Sequence, residues 1–242
     1  MKTARNSAGL SLFAADVPSS FSSRLGAIFF RVRSFAPLLV IALALQLVWQ
    51  GHDVQTPGNA ALNVIGVLAC VLGAAIRFVT IGLIPRGTSL QSRRLQAAAL
   101  NTTGPYAVVR HPLYLGNFFI TFGVLAVAHT LWGWVFGLSY VVLSQYFIVQ
   151  AEDALLREKY GAEFDAWARE VSAFWPRLSK LRDVRGGFAW KRAVQREVNP
   201  LVAWGSGLTL LLLWETFASG QLEAAVGWRF VGVQVALLVL LI

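Results

Sequence analysis

Hydrophobic positions along this chain occur in long unbroken runs, separated by polar segments. Six runs have a length suited to a helix that crosses a membrane. They cover 34–50, 60–84, 113–129, the stretch after Trp134 to Gln150, 200–217 and 224–242. The pattern predicts an all-α fold: a polytopic membrane helical bundle of about six transmembrane helices.

Composition and charge favour the same class of protein. Hydrophobic residues make up 56% of the 242 residues and charged residues 14%, whereas about a quarter of a soluble domain is charged. The net charge is +9, but the basic residues cluster beside the apolar runs. That clustering is typical of membrane topology and contact with anionic lipid, and no basic face for nucleic acid is evident.

Lys and Arg collect before the first run, between the second and third, and between the fourth and fifth. The positive-inside rule then places both termini in the cytosol. We expect a multi-pass integral protein, of the bacterial inner membrane, in three parts. These are an interfacial segment 1–33, a membrane core 34–176, and a basic linker with two C-terminal spans over 177–242. Residues 1–33 lack the pattern of a removable signal peptide.

A polar hinge, Gly104–Asn117, separates the second and third runs and contains two prolines and two tyrosines. Pro105 and Pro112 disfavour helical geometry in the residue before each of them. A helix can restart at Pro112, where the missing N–H costs nothing. Irregular backbone near a membrane is tolerated where it lines a cavity, so we interpret the hinge as a ligand site.

A second polar element follows the fourth run. A helical stripe of apolar side chains is formed by Leu156, Tyr160, Phe164, Trp167 and Val171, and Gly161 is placed to interrupt the helix. Glu152 lies one helical turn before Leu156 and therefore on the same stripe. An acid in that position needs a cation or hydrogen-bond donors, either as an interfacial salt bridge or as part of a site. The topology puts Glu152 and the hinge on one membrane side.

Polar residues within the runs have two interpretations each. Arg77 can extend to the interface or pair inside the protein. Tyr114, Asn117 and Thr121 share a helical face, which can serve helix packing or a site. Cys70 is a small buried hydrophobe in our interpretation, and we expect no metal site.

The side chains on this face suit a small zwitterionic ligand. Aromatic rings attract a cation that lacks hydrogen-bond donors, such as a sulfonium. A carboxylate such as Glu152 can hold an ammonium group, and Arg110 or Arg77 can hold a carboxylate. These groups fit S-adenosylmethionine, but they also fit other zwitterions.

The paired motifs narrow this choice. The first motif is Gly104-Pro105-Tyr106 with Arg110-His111-Pro112-Leu113-Tyr114-Leu115-Gly116. The second consists of Glu152, Tyr160-Gly161-Ala162-Glu163-Phe164, Trp167 and Pro176. Together the two motifs resemble the isoprenylcysteine carboxyl methyltransferase family. The chain is also similar to the membrane enzymes that methylate phospholipid amines or small thiols. The resemblance spans about residues 77–176.

This resemblance implies S-adenosylmethionine as cofactor, bound in a pocket at the cytosolic face. The implied cofactor contacts are Gln91, Leu100, Asn101, Tyr106, Arg110, His111, Pro112, Leu113, Tyr114 and Glu152. Arg77 and Asn117 are candidates for binding the methyl acceptor, a lipophilic or small molecule. The implied reaction is direct displacement, in which proximity and orientation provide most of the rate. Arg110 and His111 are the catalytic candidates. In eukaryotic members an arginine binds the prenylcysteine carboxylate. The corresponding position here lies near Ile148, so the resemblance does not extend to that substrate.

Two other classes remain open. Membrane sterol reductases carry a similar Arg-His-Pro run and bind NADPH, although an acid often follows their glycine where Asn117 stands here. A membrane scaffold or transporter would need functional polar residues near mid-bilayer.

Overall fold

The computed structural model describes residues 57–84, 100–129, 131, 133–184 and 186–218, together with the helical positions 25, 28 and 29. Within these ranges the fold is all-α, as the sequence predicts, and no strand is present. The predicted spans 34–50 and 224–242, and Gln91, lie outside the described residues.

Six α-helices lie within the described residues from 57 to 218. They are α1 (Pro57–Leu83), α2 (Pro105–Val108), α3 (Pro112–Ala128), α4 (Ser139–Tyr160), α5 (Ala162–Glu170) and α6 (Trp190–Ala218). A π-helical turn, Gly133–Leu138, leads directly into α4, and a 3-10 helix, Leu178–Asp183, follows α5. The fourth run is predicted to start after Trp134, but Gly133 and Trp134 already belong to this continuous helix.

Two of these helices, Ala60–Leu83 and Gly133–Tyr160, are long and apolar enough to cross a membrane, and α3 is a shorter apolar helix. In the most apolar stretch of Ala60–Leu83, only 28% of the residues are buried inside the protein. The exposed side chains are themselves apolar, among them Val64, Leu68 and Val71 on α1. An exterior of this kind is stable against lipid rather than water, which indicates a membrane protein. The total of six spans stays a prediction.

Helices α1 and α3 pack against each other through glycines. A Cβ on Gly73 would overlap the carbonyl oxygen of Gly116, and one on Gly123 would overlap the carbonyl oxygen of Gly66. The pairing of early residues on one helix with late residues on the other makes the helices antiparallel. Small residues let two membrane helices approach until their backbones touch.

Helix α6 begins ten residues before the predicted span at 200–217, so the second half of the basic linker is helical. Leu208 and Leu211 pack with Cys70, Val124 and Leu125 in one buried cluster. Cys70 is fully buried, as expected. Helix α6 is thus part of the same packed core as α1 and α3.

The polar ends of the helices meet at one end of the bundle. The backbone N–H of Ala189 donates to the carbonyl of Gly82 at 2.9 Å, which places the start of α6 at the end of α1. Arg192 also donates to the carbonyls of Ile81 and Gly82. A cation at this position satisfies carbonyls that a helix C-terminus leaves unpaired. We call this end, where the hinge also lies, the hinge end.

We predict that Gly123→Ala destabilises the protein, because its new methyl group would overlap the carbonyl of Gly66. Overpacking of this kind costs roughly 1–3 kcal/mol. Thermal unfolding in detergent measures the effect. Gly205→Ala is the matched control, since a Cβ there meets no atom within 4 Å. Equal melting temperatures for the two variants would contradict the close packing of α1 and α3.

Candidate functional site

The hinge adopts the geometry that its prolines impose. Gly104 has a positive φ of 60° and precedes Pro105, which begins the single turn of α2. His111 is non-helical, with φ −124° and ψ 65°, and Pro112 begins α3. The predicted break and restart are confirmed.

The segment that follows α5 pairs with the hinge through the backbone. The N–H groups of Arg110 and His111 donate to the carbonyls of Ser172 and Ala173, at 2.9 and 3.2 Å. The N–H of Arg177 donates to the carbonyl of Val108 at 2.9 Å. Because these three bonds satisfy backbone groups that the prolines leave out of a helix, the segment after α5 fixes the shape of the hinge. No residue pattern predicted this pairing.

Glu152, the acid on the apolar stripe, accepts a hydrogen bond from the hinge. The Tyr114 hydroxyl donates to Glu152 Oε1 at 2.6 Å, and Glu152 is only 5% exposed. The expected need of this carboxylate for a partner is therefore met by the hinge itself. The hinge and the end of α4 therefore meet through residues 38 positions apart in the sequence, as is possible only if both lie on one side of the bundle.

His111 lies between two carboxylates. Its Nε2 lies 2.9 Å from Asp153 Oδ1, and its Nδ1 lies 3.6 Å from Glu152 Oε2. Arg110 Nη1 donates to Asp153 Oδ2 at 2.9 Å. The sequence reasoning missed Asp153, although its position next to Glu152 on the last turns of α4 was a usable signal. Because the two carboxylates lie next to opposite ring nitrogens, they do not converge on a common point.

Aromatic and apolar side chains close one side of the site. The predicted stripe is confirmed, since Leu156, Phe164, Trp167 and Val171 form one buried cluster with Tyr160, Leu100 and Tyr106 packed against it. Gly161 interrupts the helix with a φ of 51°, as expected. Trp167 Nε1 donates to the carbonyl of Tyr106 at 3.3 Å, which ties α5 to the hinge.

Two buried donors near the hinge have no partner among the described residues. They are Asn101 Nδ2 and Arg110 Nε. The amide oxygen of Asn101 accepts from the N–H and the hydroxyl of Thr103, both at 3.2 Å, which directs the amide nitrogen elsewhere. Buried unpaired donors are uncommon in folded proteins, and a polar ligand would satisfy them.

Arg77 pairs inside the protein and does not extend to the interface. Its guanidinium makes a bidentate ion pair with Glu197 of α6, with both N–O distances 2.9 Å, and donates to Asn117 Oδ1 at 2.6 Å. Glu197 is 1% exposed and was missed, because α6 was expected to begin after it. Asn117 thus faces α1 while Tyr114 faces α4. Their role in binding an acceptor stays a prediction.

In the parts of the chain that the structure describes, no three His, Cys, Asp or Glu side chains are grouped as ligands of a metal ion.

The environment of His111 predicts a pH dependence of stability. Burial lowers its pKa, but hydrogen bonds to Asp153 and Glu152 and their negative charges raise it more, so the net pKa lies above its ordinary value. A raised pKa in the folded state adds stability that is fully present below about pH 6.5, the ordinary pKa of histidine. That stability is lost as the pH rises through the raised pKa.

We therefore predict that the free energy of unfolding, measured against that of His111→Gln, falls as the pH increases above about 6.5. Thermal unfolding in detergent over a pH series measures it. His129→Gln is the control, and its free energy of unfolding should still fall above that pH. An unchanged pH profile in His111→Gln would contradict the placement of the ring between two acids.

The comparisons with known proteins agree with the methyltransferase resemblance. Residues 62–163 match the model of the family described as phospholipid methyltransferase. The matched segment contains most of α1, the hinge, α3, α4 and the start of α5. It therefore includes Tyr114, His111, Glu152 and Asp153.

Two curated relatives carry metal-resistance names. The chain is 29% identical over 178 residues to the nickel-cobalt-cadmium resistance protein NccN of Alcaligenes xylosoxydans xylosoxydans, covering 72% of this chain and 78% of the relative. It is 32% identical over 118 residues to the cobalt-zinc-cadmium resistance protein CzcN of Cupriavidus metallidurans, covering 47% of this chain and 51% of the relative. No solved structure matches the chain. Over residues 62–163 the chain is similar to the phospholipid methyltransferase family, which is consistent with its resemblance to membrane methyltransferases.

Proposed function

We propose that this protein transfers a methyl group from S-adenosylmethionine to a lipophilic or small acceptor at the cytosolic face of the membrane. The observation that carries the proposal is the 2.6 Å hydrogen bond between Tyr114 and Glu152. It holds a buried carboxylate against the hinge, within the segment that the methyltransferase family model matches.

The donors and acceptors at the hinge end fit the cofactor in kind. Glu152 accepts one strong hydrogen bond and retains lone pairs for an ammonium group. The unpaired Nε of Arg110 and Nδ2 of Asn101 suit a carboxylate and an adenosine acceptor atom. The rings of Tyr106, Tyr114 and Trp167 suit a sulfonium. The remaining predicted contacts, Leu100, His111, Pro112 and Leu113, would line the same site through backbone and apolar groups.

When bound, S-adenosylmethionine would supply an electrophilic methyl group. The chain's contribution is then orientation: Tyr114 fixes the carboxylate of Glu152, and the segment 172–177 fixes the hinge. The pKa of His111 is raised, so its ring carries a proton over a wider pH range and is less available to accept one. We infer that the acceptor needs no general base here, which favours a carboxylate or a thiolate over a protonated amine.

The names of the relatives suggest a setting for such a reaction. Both are called metal resistance proteins. Should this chain share that role, we expect it to contribute through a methylated lipid or small molecule.

We predict that the purified protein binds S-adenosylhomocysteine and that Glu152→Gln weakens binding about tenfold or more. A hydrogen bond to a charged group is worth roughly 1.5–3 kcal/mol, and each 1.4 kcal/mol corresponds to about a tenfold change in affinity. Isothermal titration calorimetry measures both affinities. Glu158→Gln is the control, because Glu158 lies exposed near the end of α4 and its variant should bind normally.

The same titration distinguishes the competing functions. Binding of NADPH without any response to S-adenosylhomocysteine would favour a reductase. Binding of neither molecule would favour a scaffold or transporter.

A further inference from the structure

A short segment that follows the hinge-pairing residues exposes apolar and basic side chains together. Trp175, Leu178 and Leu181 are 81%, 68% and 53% exposed. They recur every third residue, and a 3-10 helix places residues three apart on one face. Leu178 and Leu181 belong to such a helix, and Trp175 continues the spacing before it. We call residues 175–182 the interfacial segment.

Basic side chains occupy the other positions of this segment. Arg177 and Arg182 are exposed and Lys180 is partly exposed. Within the described part of the chain, none of the three has an ion-pair partner. Between 177 and 191 the sequence contains five basic residues and one acidic residue, Asp183. Such a charge excess, combined with outward-facing Trp and Leu, is complementary to anionic headgroups above an acyl boundary.

The interfacial segment is also joined to the hinge. The 3-10 helix packs against α2, and the N–H of Arg177 donates to the carbonyl of Val108. Immediately before it, the carbonyls of Ser172 and Ala173 accept from the N–H groups of Arg110 and His111. Any ligand that orders the interfacial segment would therefore stabilise those backbone bonds.

We propose that the interfacial segment is a docking surface for the anionic phospholipid headgroups of the surrounding bilayer, and that their binding orders the hinge. The lipid contacts are made by Trp175, Leu178 and Leu181 below the headgroups and by Arg177, Lys180 and Arg182 among them. The surface is distinct from the site around Glu152, and its occupancy changes the order of that site without filling it.

The experiment uses the full-length protein in nanodiscs of phosphatidylcholine alone or mixed with phosphatidylglycerol. Hydrogen–deuterium exchange at the amides of Arg110 and His111 reports on the hinge, and native mass spectrometry reports retained phosphatidylglycerol. We expect slower exchange in the mixed discs. In Lys180→Gln/Arg182→Gln we expect that difference to vanish and lipid retention to fall about fivefold per removed charge, as about 1 kcal/mol per basic residue implies.

Two further variants make the test specific. Arg169→Gln/Arg196→Gln removes two exposed charges outside the segment and should keep the response to anionic lipid. Leu178→Ser/Leu181→Ser should lose the response to anionic lipid, although it keeps every basic side chain. Equal exchange in both lipids would overturn the proposal. Protection that follows the number of protein copies per disc, rather than lipid charge, would also overturn it and assign the surface to a second copy of the chain. Neither readout depends on methyl transfer.

Discussion

The hydrogen bond from Tyr114 to Glu152 is the constraint on which the hinge end depends. A carboxylate that is 5% exposed is costly to bury unless donors replace its water. The Tyr114 hydroxyl at 2.6 Å does so, and it can act only if the start of α3 and the last turns of α4 lie together. His111 and Arg110 add to this arrangement through Asp153. The burial of one acid thus fixes the relative position of the hinge and α4.

The same physical rule explains why α6 belongs to the core. Arg77 lies within an apolar helix, and an unpaired charge there would be expensive. Glu197 of α6 neutralises it with two hydrogen bonds, and Asn117 of α3 supplies a third. Removal of either charge would leave the other buried and unpaired, which is more destabilising than loss of the pair as a whole. Helix α6 lies beyond the segment that the family model matches, yet this pair ties it to α1.

The sequence predicted those features that depend on local chemistry. Proline geometry located the restart at Pro112, and helical periodicity identified the cluster of Phe164 and Trp167 and the need of Glu152 for a donor. Contacts between distant elements were not predictable in this way. Glu197 lies 120 residues from Arg77, and the helix that presents it begins in a stretch whose basic residues resembled a linker. The pairing of Ser172 and Ala173 with the hinge uses backbone groups, which leave no trace in residue types. The glycine contacts could have been predicted from the seven-residue spacing of Gly66 and Gly73 on α1 and of Gly116 and Gly123 on α3. Hydropathy alone does not reveal such a spacing.

The most direct test of this arrangement is a double-mutant cycle on the free energy of unfolding with Tyr114→Phe, Glu152→Gln and the variant that carries both. The two side chains share one hydrogen bond, so the single effects should overlap and give a coupling of roughly 1.5–3 kcal/mol, the range for a hydrogen bond to a charged group. Effects that add within about 0.5 kcal/mol would show that Tyr114 and Glu152 do not meet, and would contradict a site formed by the hinge and α4.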